Sequence, residues 1–112
     1  MAGPNRAEIW QVNLSGSKGH EQKGERPAIL WRDLDHVGLA IIVPLTSNLE
    51  RQSLPHTYTL SPSPKNNLKM ESVALVFQLT VIDKRMLLEK IGELDEEEKK
   101  QVGILLKELL RL

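Results

Sequence analysis

Apolar and polar residues alternate near the start of the chain, with Trp10, Val12 and Leu14 in one register and Gln11 and Asn13 in the other. A period of two marks a strand with one buried face, so the first strand is expected over roughly Glu8 to Leu14. Ser15 to Glu25 then holds three of the seven glycines and no large apolar residue, the composition of a polar loop. Pro27 to Trp31 and Leu39 to Val43 are short apolar runs that suit buried strands, joined by the polar turn Arg32 to Gly38. Pro44 cannot donate to a ladder and is expected at a strand end or edge. Thr57 to Leu60 is a further β-prone segment, and Ser61 to Asn67 has the turn chemistry of a hairpin tip. Ser72 to Val76 and Leu79 to Ile82 read as one strand bent around Phe77 and Gln78.

From Asp83 the pattern changes. Met86, Leu87 and Leu88 fit a helical turn, and Glu89 to Leu94 fits helix or strand equally. The last element is clear-cut. Asp95 followed by Glu98 is a capping-box start, and the acidic run Glu96 to Glu98 complements a helix N-terminus. Val102, Leu105, Leu106 and Leu109 then share one face of a helix, with Lys99, Lys100, Lys107 and Glu108 elsewhere. Short strands with a terminal amphipathic helix predict a small β-rich α+β fold, with residues 1–112 as one domain.

Composition narrows the chemistry. Fifteen basic residues balance fifteen acidic ones, which argues against loose, salt-driven coating of nucleic acid and confines any such contact to a local groove. Cysteine is absent, which removes disulfides, zinc-thiolate sites and thiol nucleophiles. The N-terminus lacks an apolar core of the signal-peptide kind, and the longest apolar run, Leu39 to Leu45, is too short to cross a bilayer. A cytoplasmic protein without membrane contact is the expectation. His20, His36 and His56 show no metal-ligand spacing, and neither His-Glu-x-x-His nor Gly-x-Ser-x-Gly occurs. Gly19 and Gly24 have phosphate-loop spacing, but Glu25 and Arg26 stand where Lys and Ser/Thr belong. No metal and no cofactor are called for.

Among the remaining polar residues, Arg26 is permanently charged and offers a planar fork that fits phosphate. Its commonplace use would be a surface salt bridge with Glu21 or Glu25. Thr46 follows an apolar strand, where a threonine ordinarily bonds the backbone. His20 has a reference pKa of about 6.5, near neutrality, although a lone loop histidine is ordinarily just solvated.

The stretch Gly19-His20-Glu21-Gln22-Lys23-Gly24-Glu25-Arg26-Pro27-Ala28, followed by Val43-Pro44-Leu45-Thr46-Ser47, carries a resemblance that Glu8-Ile9-Trp10 and Ser72-Val73-Ala74-Leu75-Val76 extend over most of the chain. It resembles the MazF/PemK toxins of the CcdB/MazF superfamily, which are sequence-specific endoribonucleases. The resemblance implies an SH3-like barrel or sheet with a C-terminal α-helix, assembled as a homodimer. It implies catalytic roles for Arg26, in the family's Gly-x-Arg-Pro motif, for Thr46, and for Glu21 of the Gly-Ser-Glu-Gln loop. Substrate contacts are implied for His20, which stands where Ser is common, and for Gln22, Lys23, Ser47 and Gln78. The implied reaction cleaves single-stranded RNA, without metal, to 2′,3′-cyclic phosphate and 5′-hydroxyl ends. The implied partner is a MazE-like acidic antitoxin whose flexible tail folds onto the toxin.

Phe77 and Thr80 depart from the family pattern, in which an acidic residue often precedes the glutamine and an arginine stands two residues after it, while Gln78 is kept. Phe77 reads as a core or interface residue, or as a stacking surface for a base. Two other readings stand beside the ribonuclease. One is a gyrase-binding toxin of the CcdB type, although those end in Trp-Gly-Ile and this chain ends Leu110-Arg111-Leu112. The other is a catalytically silent module that only binds antitoxin.

Overall fold

The computed structural model describes residues 7–14 and 24–112. These form seven strands, β1 (Glu8–Asn13), β2 (Glu25–Leu34), β3 (Leu39–Thr46), β4 (Thr57–Leu60), β5 (Ser72–Leu75), β6 (Thr80–Asp83) and β7 (Leu87–Glu93), and one helix, α1 (Glu96–Leu110). Every strand pairing is antiparallel. Neighbours run β4-β5-β3-β2-β1-β7, with β6 added to β3. This is the expected α+β arrangement, a mostly antiparallel sheet followed by a C-terminal helix.

Alternation along the strands sorts side chains into two buried clusters. Val12 and Leu14 join Ala28, Leu30, Ala40 and Ile42 on one face, with Trp10 packed at the margin. Ile9 turns the other way and joins Ile29, Val43 and Leu45 beneath α1, which contributes Val102 and Leu106. Each aliphatic side chain of this size contributes about 1.5–3 kcal/mol when fully removed from water, so this stripe holds the helix on the sheet. Leu105 and Leu109 pack at its edge. The helix begins as its sequence predicts: Asp95 accepts a hydrogen bond from Glu98 N at 2.7 Å, and Glu98 Oε1 accepts one from Asp95 N at 2.8 Å.

Several segments differ from their local pattern, each for a tertiary reason. Arg32 to Leu34 prolong β2 instead of turning, because they pair with Ile41 to Leu39; only Asp35–Val37 makes a 3₁₀ turn. Lys84 reaches across to Asp33 at 3.1 Å and Asp35 at 2.7 Å, which ties that corner to the segment after β6. Leu87 and Leu88 belong to β7 and not to a helical turn, which covers Lys84–Met86 alone. The ambiguous stretch Glu89 to Glu93 is strand because β1 has a free edge there, and Gln11 pairs with Glu89 and Trp10 with Lys90. The bend at Phe77 and Gln78 is a 3₁₀ turn, Val76–Gln78, that lets β6 and β5 follow one edge of β3 in succession.

Candidate active site

Two prolines shape the sheet where β2 and β3 part. Leu30 accepts a hydrogen bond from Ala7 N at 2.7 Å, so its backbone faces β1. Backbone polar groups alternate in direction along an antiparallel strand, so Ile29 faces β3, Ala28 faces β1, and Pro27 faces β3 again. The β2–β3 register pairs Leu30 with Ile42, Ile29 with Val43 and Ala28 with Pro44. Its next rung would join Pro27 to Leu45, and Pro27 has no N–H to give. The ladder ends there. Pro44, placed inside β3 and not at the expected end or edge, obeys the same rule. Its nitrogen faces the opposite edge of β3, in the gap between the β6 partner of Ile42 and the β5 partner of Leu45.

Beyond this point each strand is paired only on its other side. Arg26 pairs with Val12 of β1, and Thr46 pairs with Val73 of β5. The register carried forward still sets Arg26 against Thr46, now across an open space. That space is a groove of about 670 Å³, lined by Arg26, Thr46 and Ser47, by Gln11 of β1, by Glu89 and Lys90 of β7, and by the loop before β5.

Arg26 is half-buried, and its Nε is buried without a hydrogen-bond partner. A buried donor gains by meeting an acceptor, and the guanidinium of Arg26 lines this groove. Thr46 is buried, and its Oγ1 accepts from Asn48 N at 3.1 Å. Because a hydroxyl has one hydrogen to donate besides its lone pairs, that of Thr46 stays available to a ligand. Ser47 is exposed on the same rim.

The loop wall is stiff. Asn66 is fully buried; its Oδ1 accepts from Ser63 N at 2.9 Å and Leu68 N at 3.0 Å, and its Nδ2 donates to Ser61 O at 2.8 Å and Glu98 Oε2 at 3.3 Å. Asn67 Nδ2 donates to Ile91 O at 3.0 Å, and Glu93 N donates to Lys65 O at 3.0 Å. Gly92 makes this approach possible, since a Cβ there would lie 2.6 Å from the carbonyl carbon of Asn66. The glutamate that caps α1 therefore also anchors the groove wall.

Arg26, Thr46 and Ser47 are thus brought together on one groove. Glu21, His20, Gln22 and Lys23 lie outside the described residues. Gln78 does not line the groove: it ends the Val76–Gln78 turn, half-buried, with Oε1 buried and unbonded. Gln11, Lys69, Met70 and Lys90 line the groove without having been singled out. Gln11 had a legible signal, since it lies out of register with Trp10, Val12 and Leu14, whereas the others depend on loop and edge placement. Among the described residues, no group of three or more His, Asp or Glu side chains is placed to hold a metal ion. No helix there is long and apolar enough to cross a membrane.

The arrangement matches known proteins over nearly its whole length. The sequence model of the family described as PemK-like, MazF-like toxin of type II toxin-antitoxin system matches residues 5–110. Endoribonuclease EndoA of Bacillus subtilis is 30% identical over 95 residues, covering 82% of this chain and 81% of that protein. The crystal structure of MazF (Form-I) from Deinococcus radiodurans superposes with a TM-score of 0.79 at 26% identity, covering 97% of each chain. An endoribonuclease in complex with its cognate antitoxin from a mycobacterial species gives 0.73 at 18% identity, covering 98% of this chain and 97% of that one, and so shares the fold.

Proposed function

The chain belongs to the PemK-like, MazF-like toxin family of type II toxin-antitoxin systems, and on that footing we propose that it is an endoribonuclease that cleaves single-stranded RNA in the groove between β2 and β3. The observation that carries this reading is Arg26, a guanidinium with a buried, unpartnered Nε, set against the available hydroxyl of Thr46.

The reaction we assign is internal transesterification. The ribose 2′-oxygen attacks the adjacent phosphorus as the 2′-hydroxyl gives up its proton; the O2′–P bond forms and the P–O5′ bond breaks. The departing 5′-oxygen takes a proton, leaving 2′,3′-cyclic phosphate and 5′-hydroxyl ends. Charge builds on the non-bridging phosphate oxygens, where Arg26 and Thr46 donate hydrogen bonds that strengthen in the transition state. A guanidinium holds its proton too firmly to be a good proton carrier, so Arg26 supplies charge. Proton transfer falls to Glu21 or His20, a few residues before Arg26 in the sequence. Because the nucleophile belongs to the substrate, the chemistry runs without metal.

The whole chain acts as one toxin domain in the cytoplasm, as a homodimer held in check by a MazE-like antitoxin. EndoA, a relative bearing the endoribonuclease name, supports the activity, and the family description supports the antitoxin. The test is cleavage of a long unstructured RNA in EDTA by the wild type, Arg26→Ala and Thr46→Ala, with end-group analysis. Cuts at a short recurring motif that end in cyclic phosphate, reduced about 10²–10³-fold in each variant, are expected. A folded wild type that cuts none of a varied set of RNAs overturns the proposal.

A further inference from the structure

Among the described residues, three side chains bring positive charge to the groove: Arg26, Lys69 and Lys90. Lys90 is already committed, with its Nζ 2.9 Å from Glu93 and 3.4 Å from Glu8. Arg26 faces Thr46 at the diverging strands. Lys69 is exposed and makes no hydrogen bond or ion pair with any described residue. It is also well placed. Leu68, before it, is buried in the core, and Asn66 and Asn67 pin the same loop to α1 and β7. An ammonium on a fixed backbone gives up less freedom on binding than one on a mobile loop.

The rest of the groove shows what that ammonium would meet. Glu25 and Glu89 line it too and repel anions, so a polyanion crossing it is attracted at few points. With fifteen charges of each sign in the chain, net charge adds no long-range attraction for a polyanion, so local contacts matter more. A single strand that sets one phosphate on Arg26 must run its neighbouring phosphates along the groove, and Lys69 is the uncommitted cation of the loop wall.

We propose that Lys69 is a second phosphate contact, holding an RNA backbone phosphodiester that flanks the one on which Arg26 acts. The inference rests on the ribonuclease reading above. Its test is the salt dependence of binding for a non-cleavable 2′-O-methyl oligonucleotide, with cleavage kinetics on the unmodified RNA in parallel. Each phosphate neutralised on a single strand contributes about 0.7 to the slope of log K against log salt. Lys69→Ala is expected to lower that slope by about 0.7 and raise KM roughly fivefold, with kcat unchanged. Lys69→Arg restores both quantities, and Lys107→Ala, on the exposed side of α1, changes neither. A methylphosphonate scan should find one linkage whose neutralisation weakens the wild type and leaves Lys69→Ala unaffected. Wild-type slope and KM in Lys69→Ala overturn the inference while cleavage by the wild type keeps the ribonuclease reading. A wild type that neither binds nor cuts RNA overturns both.

Discussion

Replacing Arg26 by methionine should make the free protein more stable and nearly inactive. Its Nε–H is buried and unbonded, and leaving a buried donor unsatisfied costs about 1–3 kcal/mol. Methionine retains much of the aliphatic bulk and brings no donor. Because Arg26 is only half-buried and keeps part of its hydration, the lower end applies, a gain of about 1 kcal/mol. For a domain of this size that is roughly 4 °C in Tm. The same change removes a transition-state donor, for which about 2.7–4 kcal/mol, or 10²–10³ in rate, is typical. Urea denaturation of the free proteins and single-turnover cleavage measure the two effects separately. A third arm adds non-cleavable RNA at about 100 times the wild-type Kd, which should stabilise the wild type by about 2.7 kcal/mol and the variant far less. An Arg26→Met protein destabilised by more than about 1 kcal/mol that still cuts RNA at the wild-type rate would refute the argument, and Arg26 would then be a structural cation.

Other consequences follow from the same contacts. Pro27→Ala supplies the missing N–H opposite Leu45, so the β2–β3 ladder should gain a rung; slow amide exchange at position 27 with reduced cleavage and unchanged stability is expected, and a freely exchanging amide refutes it. Asp95→Ala loses one cap bond, about 1 kcal/mol, whereas Glu98→Ala loses a cap bond and also takes the acceptor from one of the two Asn66 Nδ2 hydrogens, and should cost about 2 kcal/mol; equal denaturation midpoints would mean that the Asn66 contact contributes nothing. Gly92→Ala forces the loop carrying Asn66 off β7 and should cost about 1–3 kcal/mol, while Gly103→Ala, whose Cβ would meet only Trp31 at 3.8 Å, should gain up to about 1 kcal/mol as a helix-interior glycine. The hydrogen bond from Lys84 holds the Asp35 carboxyl below its ordinary value. A depressed carboxylate contributes its stability above the unfolded pKa and loses it as pH falls through the folded one. Acid titration of the urea midpoint below about pH 4 should therefore be flatter in Asp35→Asn than in the wild type, and identical slopes would refute the pairing.

Short-range physics accounts for what could be read along the chain. The start of α1 depends on Asp95 and Glu98, one helical turn apart, and the capping box forms as written. The face of β1 depends on alternation alone, and Val12 and Leu14 are buried together as that alternation requires. Arg26 and Thr46 were legible because they follow recognisable segments, a glycine-bearing polar stretch before Pro27 and an apolar strand. Beyond such spans, linear pattern loses its hold. Glu89 to Leu94 fit helix or strand equally, and the free edge of β1 made the choice as far as Glu93. Arg32 and Asp33 look like a turn until Ile41 and Ala40 are seen to pair with them. Pro44 sits inside a strand because its nitrogen faces a gap between two partners that are remote in sequence.

The groove belongs to the same class of fact. That Arg26 and Thr46 confront one another follows from the register of two strands, and that the space between them is open follows from the N–H that Pro27 lacks. Lys69 and Gln11 reach it, and Gln78 does not, through loop anchoring and strand order, none of which leaves a periodic trace. Local backbone preferences and side-chain spacing therefore specified the elements and the charged and hydroxyl groups available for chemistry. Their assembly into one site required strand edges to find partners across long stretches of chain, where hydrogen-bond complementarity and close packing, and not sequence proximity, select the neighbour.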